Sequence, residues 1–374
     1  MRCELSDICV YRNERISTNA LNSHTYVSTE NMLPDKGGIT DAASLPTVSQ
    51  TSKFRYGDTL VSNIRPYFKK IWFAEYDGGC SNDVLVFSAK EGVDPKYLYY
   101  VLANDSFFAY STATSKGTKM PRGDKNSIMQ YQIEKLDSPT QKKIAAILSA
   151  LDEKIAINRA INENLERQAQ ALFKSWFVDF EPVSNYGFIE SAIGAIPCGW
   201  RIYTLSEFLP VITGKKNANV SSDKGLYPFF SCSQDFSWTN EFSFDGHAIL
   251  VAGNGDFSVK WYNGKFEAYQ RTYVLIPSVE RYTDWLYYAV KYNLESITSA
   301  ARGSVIKFIT KGNLENFAFA APENLEKCEI IDTFSSINRI IDALTQENYR
   351  LAEIRDSLLP KLMAGEIDVS AVQL

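Results

Sequence analysis

Two stretches of this sequence interleave cations with aromatic rings: IRPYFKKIWF at 64–73 and VKWYNGKFEAYQR at 259–271. Lys and Arg at such spacing can bind phosphates, and the rings between them can stack on bases or enter a groove. Either stretch alone reads equally well as an amphipathic strand with solvated lysines. Residues 53–70 carry Lys53, Arg55, Arg65, Lys69 and Lys70 against Asp58 alone. Residues 116–125 carry Lys116, Lys119, Arg122 and Lys125 against Asp124 alone, inside a Gly-containing loop. The net charge of -5 does not by itself announce a nucleic-acid binder. From residue 323 onward, however, 10 acidic residues face 5 basic ones, so the rest of the chain is neutral and its cations are clustered.

Catalytic constellations are missing. His24 and His247 have no ligand-like spacing, and a surface or structural role is the simpler reading of each. No GxxxxGK[ST] and no GxSxG occurs, and GNGD at 253–256 lacks the third Gly of a dinucleotide motif, so it reads as a turn. No Pro-Pro pair exists, which removes the Asn-Pro-Pro-aromatic motif of adenine methyltransferases. Cys3, Cys9, Cys80, Cys198, Cys232 and Cys328 form no CxxC pair, which argues against structural zinc and for a reducing cytosol. No run of 18 apolar residues or signal-like N-terminus is present, so no membrane span is expected and a cytoplasmic location is.

The elements that position the basic loops are organised around residues 138–180, which run for about 60 Å as a helix. Ser138 is read as N-cap and Pro139 as the first helical residue. Ile144, Leu151, Asn158, Leu165 and Leu172 recur every seven residues, and Ile147, Leu148, Ile155, Ile161, Ala169 and Trp176 widen the stripe. A shift of 186 lands on Ile330, Ile337, Leu344, Leu351 and Leu358, with Phe334, Ile340, Ile341, Ile354 and Leu362 beside them. Matching stripes predict an intramolecular helix pair; two unrelated core helices are the plainer alternative.

The globular parts also repeat. YLYYVLAN (97–104) parallels WLYYAVKYN (285–293), VLVF (84–87) parallels VLIP (274–277), and Gly117, Lys125 and Ile128 parallel Gly303, Lys311 and Leu314. Residues 95–113 read as one helical stretch, and Asn263-Gly264 as a strong hairpin turn with Asn254-Gly255 as another. The expected fold is α/β (α+β) with an internal duplication of about 186 residues. Its divisions are a first globular domain at 1–137, a long helix at 138–180, a second domain at 181–325, and a long helix with tail at 326–374.

At this point the chain resembles the specificity (S) subunit of type I restriction-modification enzymes. The resemblance rests on QKKIAAILSALDEKIAINRAINENLERQAQALFKSWFVDF (141–180), on INRIIDALTQENYRLAEIRDSLLPKLMAGEI (337–367), and on the Gly-Trp of IPCGW (196–200). The first domain begins without an equivalent Gly-Trp. The resemblance implies two target-recognition domains, each reading half of a split double-stranded DNA site, separated by two antiparallel helices that form a coiled coil and act as ruler. It implies a non-catalytic chain that binds no cofactor. Two methyltransferase subunits would bring S-adenosylmethionine, and endonuclease subunits would use ATP and Mg. Charge and loop position then select DNA contacts: Arg65, Lys69, Lys70, Lys116, Lys119, Arg122 and Lys125 in the first domain, and Lys215, Lys216, Lys260, Arg271, Arg302, Lys307 and Lys311 in the second. The rival from another class is a scaffold with duplicated ligand-binding domains on a coiled-coil spine.

Overall fold

The computed structural model describes residues 2–222, 224–255, 257–299 and 308–372. The chain divides into two compact units, Met1–Ile157 with Glu347–Leu374, and Asn158–Gln346.

The first unit opens with β1 (Arg2–Glu4), the helical turn α1 (Leu5–Ile8), β2 (Cys9–Tyr11), β3 (Arg15–Ser17), β4 (Tyr26–Val27) and β5 (Gln50–Phe54). Strands β6 (Thr59–Ser62), β7 (Ile71–Phe73), β8 (Gly78–Cys80) and β9 (Val84–Ala89) follow. Helices α2 (Pro95–Ala103), α3 (Asp105–Ala113) and α4 (Lys125–Met129) and strand β10 (Gln132–Glu134) lead into the long helix α5 (Ser138–Phe177). One sheet has the order β2-β9-β6-β7, another β3-β5-β8-β4, and β1 pairs antiparallel with β10. The run VLVF is apolar without alternation because both faces of β9 are covered. Leu85 and Phe87 pack with α2 and α3, while Val84 and Val86 join Leu60, Phe54 and Val27 on the other side.

The second unit contains β11 (Phe188–Ile189), β12 (Ile196–Pro197), β13 (Trp200–Thr204), β14 (Val211–Thr213), β15 (Tyr227–Phe230) and β16 (Ser237–Thr239). It continues through β17 (Phe244–Ala252), β18 (Val259–Ala268) and β19 (Thr272–Leu275). Helices α6 (Thr283–Tyr292), α7 (Leu294–Ser299) and α8 (Lys311–Glu315), strand β20 (Ala318–Pro322) and the second long helix, α9 (Ile330–Met363), complete it. The sheet order is β14-β19-β17-β18-β15-β16, with β13 paired to β20. Its first four strands repeat β2-β9-β6-β7, so the duplication seen in the sequence is a duplication of topology. The ladder registers set Val84–Phe87 against Ser62–Thr59 and Thr272–Leu275 against Ala252–Ile249. VLVF and the start of VLIP thus lie on strands that hold the same place in the two sheets, β9 and β19.

Each unit contains an antiparallel stretch of the two long helices. In the first, Lys143 donates to the Ser370 carbonyl, Asp152 meets Arg355 at 2.8 Å and Lys154 meets Glu347 at 3.5 Å. In the second, Phe334 packs on Phe173 and Phe177, and Asn162 donates to the Ile341 carbonyl at 3.3 Å and to Thr345 at 3.1 Å. Ile144, Leu148, Ile155, Asn158 and Ala169 are buried on α5, with Leu151, Asn162, Leu165 and Leu172 partly buried between them. These steps of four and three are the heptad spacing of a two-helix seam.

Several sequence expectations change. Asp137, not Ser138, caps α5: its carboxylate accepts the Thr140 amide at 2.9 Å, and Ser138 is the first helical residue. Residues 95–113 form two helices, because the Asn104 side chain accepts the Ser106 amide and starts a new one. Asn263 and Gly264 lie inside β18, opposite His247 and Gly246, and the chain reverses instead around Asn254-Gly255. Gly264 (φ 131°) and Gly246 (φ 135°) face each other in the antiparallel ladder and supply a positive φ there, so the Asn-Gly pair serves the ladder and not a turn. Ile330, Ile337, Leu344, Leu351 and Leu358 are only partly buried; full burial comes one residue on, at Ile331, Asn338 and Leu359. The α9 stripe faces two neighbours there, the partner helix and the globular part. Ile161, Ile340 and Ile354 face solvent, with 40%, 49% and 46% of their surface exposed.

Candidate nucleic-acid interface

In the first unit the basic residues converge on the tip of the β6–β7 hairpin. Arg65 and Lys69 are left-handed (φ 51° for both), with Pro66 opening a 3-10 turn between them. A left-handed non-glycine residue costs roughly 1–2 kcal/mol, so such a backbone persists only where its surroundings hold it. The Arg65 amide donates to the Pro121 carbonyl at 2.8 Å, and those of Asp35 and Lys36 donate to Phe68 and Lys69 at 2.9 and 3.0 Å. Asp35 and Lys36 are left-handed too. Lys116 and Arg122 exchange two backbone bonds of 2.9 Å around Gly117, whose φ of 97° makes the turn. Three loops, around residues 33–38, 63–70 and 115–124, are thus stitched into one surface.

The cations on that surface are partly occupied. Lys36 and Lys69 both reach Asp105, at 2.9 and 3.1 Å; burial works against this carboxylate's charge, yet the two ammoniums hold its pKa below the usual range. Lys116 pairs with Asp124, whose pKa falls to about 2, first through that contact and then through the α4 amides it caps. Arg122 meets Asp83 at 3.2 Å. Lys70 turns inward to the Thr29 carbonyl at 2.6 Å, and burial pushes its pKa down. Lys119 and Lys125 are exposed, and Arg65 sits 6.0 Å from the Phe68 ring centroid. A cleft of about 380 Å³ beside β9 is lined by Arg12, Glu14, Arg15, Asn82 and Lys125. Arg12 in it bonds the buried Asp58 through two nitrogens, at 2.6 and 2.9 Å. Sequence reasoning missed Arg12, Arg15 and Lys36, because Glu14 lies between the first two and Asp35 beside the third, and they join the other cations only through the fold.

In the second unit Lys215, Lys216, Lys260 and Arg271 gather around the β18–β19 turn. The Gln270 amide donates to the Lys216 carbonyl at 2.9 Å, and Cys232 donates to the Arg271 carbonyl at 3.5 Å. Lys260 donates to the Ser233 carbonyl of the same loop, and burial lowers its pKa. Lys216 is held by Glu241 at 2.5 Å, which raises its pKa, while Lys215 lies 5.7 Å from the Phe244 ring centroid. Arg271 lines a cleft of about 500 Å³ with Gly253, Asn254, Tyr273 and Phe308, the counterpart of the cleft beside β9. Lys311 stands apart on α8, paired to Glu315 at 3.2 Å. Arg302 and Lys307 lie outside the described residues.

Each unit fastens its globular part to the long helices through a tyrosine. Tyr100 on α2 donates to Asp152 of α5 at 2.7 Å, and Asp152 also holds Arg355 of α9 at 2.8 Å. Burial, then the Asp152 carboxylate, push the Tyr100 pKa up, so the hydroxyl stays a donor. In the second unit Tyr288 on α6 donates to Asn338 of α9 at 2.7 Å, Asn338 donates to Asp284 at 2.6 Å, and Lys291 meets Glu166 of α5 at 2.7 Å. Asp152 and Asn338 are 186 residues apart; that shared offset is the signal that could have found them.

Among the described residues no group of three or more His, Cys, Asp or Glu could hold a metal ion, and no helix is long and apolar enough to cross a membrane.

The family described as type I restriction modification DNA specificity domain matches residues 2–167 and 197–353. The EcoDI type I restriction enzyme specificity subunit of Escherichia coli is 37% identical over 178 residues; these span 46% of this chain and 40% of that protein, under half its length. The HindI specificity subunit of Haemophilus influenzae is 24% identical over 461 residues, covering 97% of this chain and 98% of its own. The crystal structure of a type I S subunit from M. genitalium superposes with a TM-score of 0.62 at 16% identity, covering 99% of this chain and 96% of that one, which speaks for the fold. With both of its topological repeats matched, the chain belongs to the type I restriction-modification DNA specificity family.

Proposed function

We propose that this chain is the sequence-reading subunit of a type I restriction-modification complex. Each α/β unit reads one half of a bipartite, asymmetric duplex site, and the two long helices set the unread gap between the halves. The observation that carries this reading is the repeated strand order on two shared helices, with basic, loop-built surfaces at matching places. Two similar heads that differ in their loops suit two different half-sites.

The chain's own residues bind and position DNA and do no chemistry. Methyl transfer to adenine belongs to methyltransferase subunits that bring S-adenosylmethionine, and cleavage to endonuclease subunits using ATP and Mg. The exposed Ile157 and Ile354 in the first unit, and Ile161 and Ile340 in the second, give the helices apolar positions for docking the methyltransferases. Methylated adenines mapped in cells with and without this gene test the reading. A split motif that vanishes with the gene supports it; an unchanged map contradicts it.

A further inference from the structure

Tyr67 and Phe68 stand at the tip of the β6–β7 hairpin with 49% and 38% of their surface exposed, and neither belongs to a core cluster of the unit. Their ring centroids are 4.8 Å apart at an interplanar angle of 57°, so together they form a blunt apolar edge. The backbone beneath them is locked by left-handed residues on both sides, Arg65 and Lys69, and by bonds from Asp35, Lys36 and Arg65 to neighbouring loops. Burial does not account for holding exposed rings on a strained, cross-braced tip. Arg65 and Lys69 flank the rings, and Lys116 and Arg122 lie on the adjoining loop.

We infer that Tyr67 and Phe68 are specificity-determining residues that press as a wedge against one base step of the half-site read by the first unit. This inference rests on the DNA-reading function proposed above. An apolar wedge partly unstacks the step it enters, so it selects steps that deform easily, pyrimidine–purine above all, without a hydrogen bond to any base. The flanking cations hold the phosphates on either side, and the rigid tip resists being pushed back. Among the described residues the β17–β18 tip of the second unit has no equivalent ring pair: it carries Gly253, Asn254 and Gly255, and Phe257 beyond them packs against the core. The two half-sites are therefore read by different physics.

The test uses the full chain assembled with its methyltransferase subunits. The methylation map gives the bipartite motif, and 2-aminopurine is then placed at successive steps of duplexes carrying it. The methyltransferases extrude their target adenine in each half-site, so those two positions brighten in any case; away from them the wedge predicts a several-fold rise in fluorescence at one step of one half-site only. Tyr67→Ala with Phe68→Ala abolishes that rise and broadens the map at that step, while the other half-site and the gap stay fixed. Phe68→Leu, which keeps an apolar edge, retains both. No fluorescence rise away from the target adenines with the unaltered complex overturns the wedge, whatever the variants do. So does an alanine pair that weakens binding evenly across sequences, the mark of a phosphate contact alone. A complex that methylates no split motif overturns the proposed function, and the wedge with it.

Discussion

The two units share a scaffold and differ at its rim. Strands β2-β9-β6-β7 and β14-β19-β17-β18 have one order, and the helix after each pair begins with the same aromatic run, Tyr97-Leu-Tyr-Tyr and Trp285-Leu-Tyr-Tyr. Beyond that frame the first unit adds the sheet β3-β5-β8-β4, while the second extends its sheet by β15 and β16. The first hairpin tip projects two rings from a strained turn; the second folds back through glycines. Core positions are constrained by packing in both copies, so they stay alike. The rim loops carry no such shared constraint, and there the two copies differ.

The largest expected effects probe the shared frame. Trp285→Ala removes a fully buried ring that touches Phe177, Phe208 and Phe319, and should cost about 3–5 kcal/mol. Tyr97→Ala should do the same to the first unit. Hydrogen exchange on each variant should show lost protection confined to its own unit; loss spread evenly over both would break the two-unit description.

Next come the tyrosine clamps. Asn338→Ala leaves Tyr288 and Asp284 without their buried partner and should cost about 2–4 kcal/mol. Asp152→Ala breaks a pair that is 22% and 30% exposed, so solvent screening should hold its cost to about 1–3 kcal/mol. Denaturant unfolding of the two variants should rank them in that order.

A smaller effect separates strain from stability. Lys69→Gly relieves a left-handed side chain while losing the Asp105 contact, and should change stability by less than about 1 kcal/mol. If the tip binds phosphates, the same change should reduce the salt dependence of DNA affinity by roughly one unit.

The smallest is a pH effect present in one copy only. Asp124 caps α4 and Thr310 caps α8 in the matching place. Asp124 has a folded pKa of about 2, below its ordinary value near 4, so its contribution is present above about pH 4 and lost as pH falls toward 2. The amides of Asn126 and Ser127 should lose protection over that range, while the Asn313 amide, which bonds the non-titrating Thr310, should not.

Much of the frame was legible because it follows periodicity. Forty residues without an interior Gly or Pro, with apolar steps of four and three, can only be a long partnered helix, and the shared offset exposes the repeat. What stayed hidden depends on contacts distant in sequence. Lys69 and Arg122 read as free cations until the fold brings Asp105 and Asp83 to them. Asn338 was passed over because polar residues break an apolar stripe, yet it is the more deeply buried position. Asn263-Gly264 looked like a turn because that pair favours positive φ, and a ladder position where two glycines face each other can use positive φ as well.

The central claim, that two heads read DNA across a helical spacer, is tested most directly by lengthening the spacer. Seven residues inserted in α5 after Asn162 and in α9 before Thr345 keep the heptad phase and add about 10 Å to each helix. Methylation mapping should return both half-sites unchanged, with the gap widened by up to about three base pairs at 3.4 Å each. An active variant with the original gap, or with altered half-sites, would contradict the account.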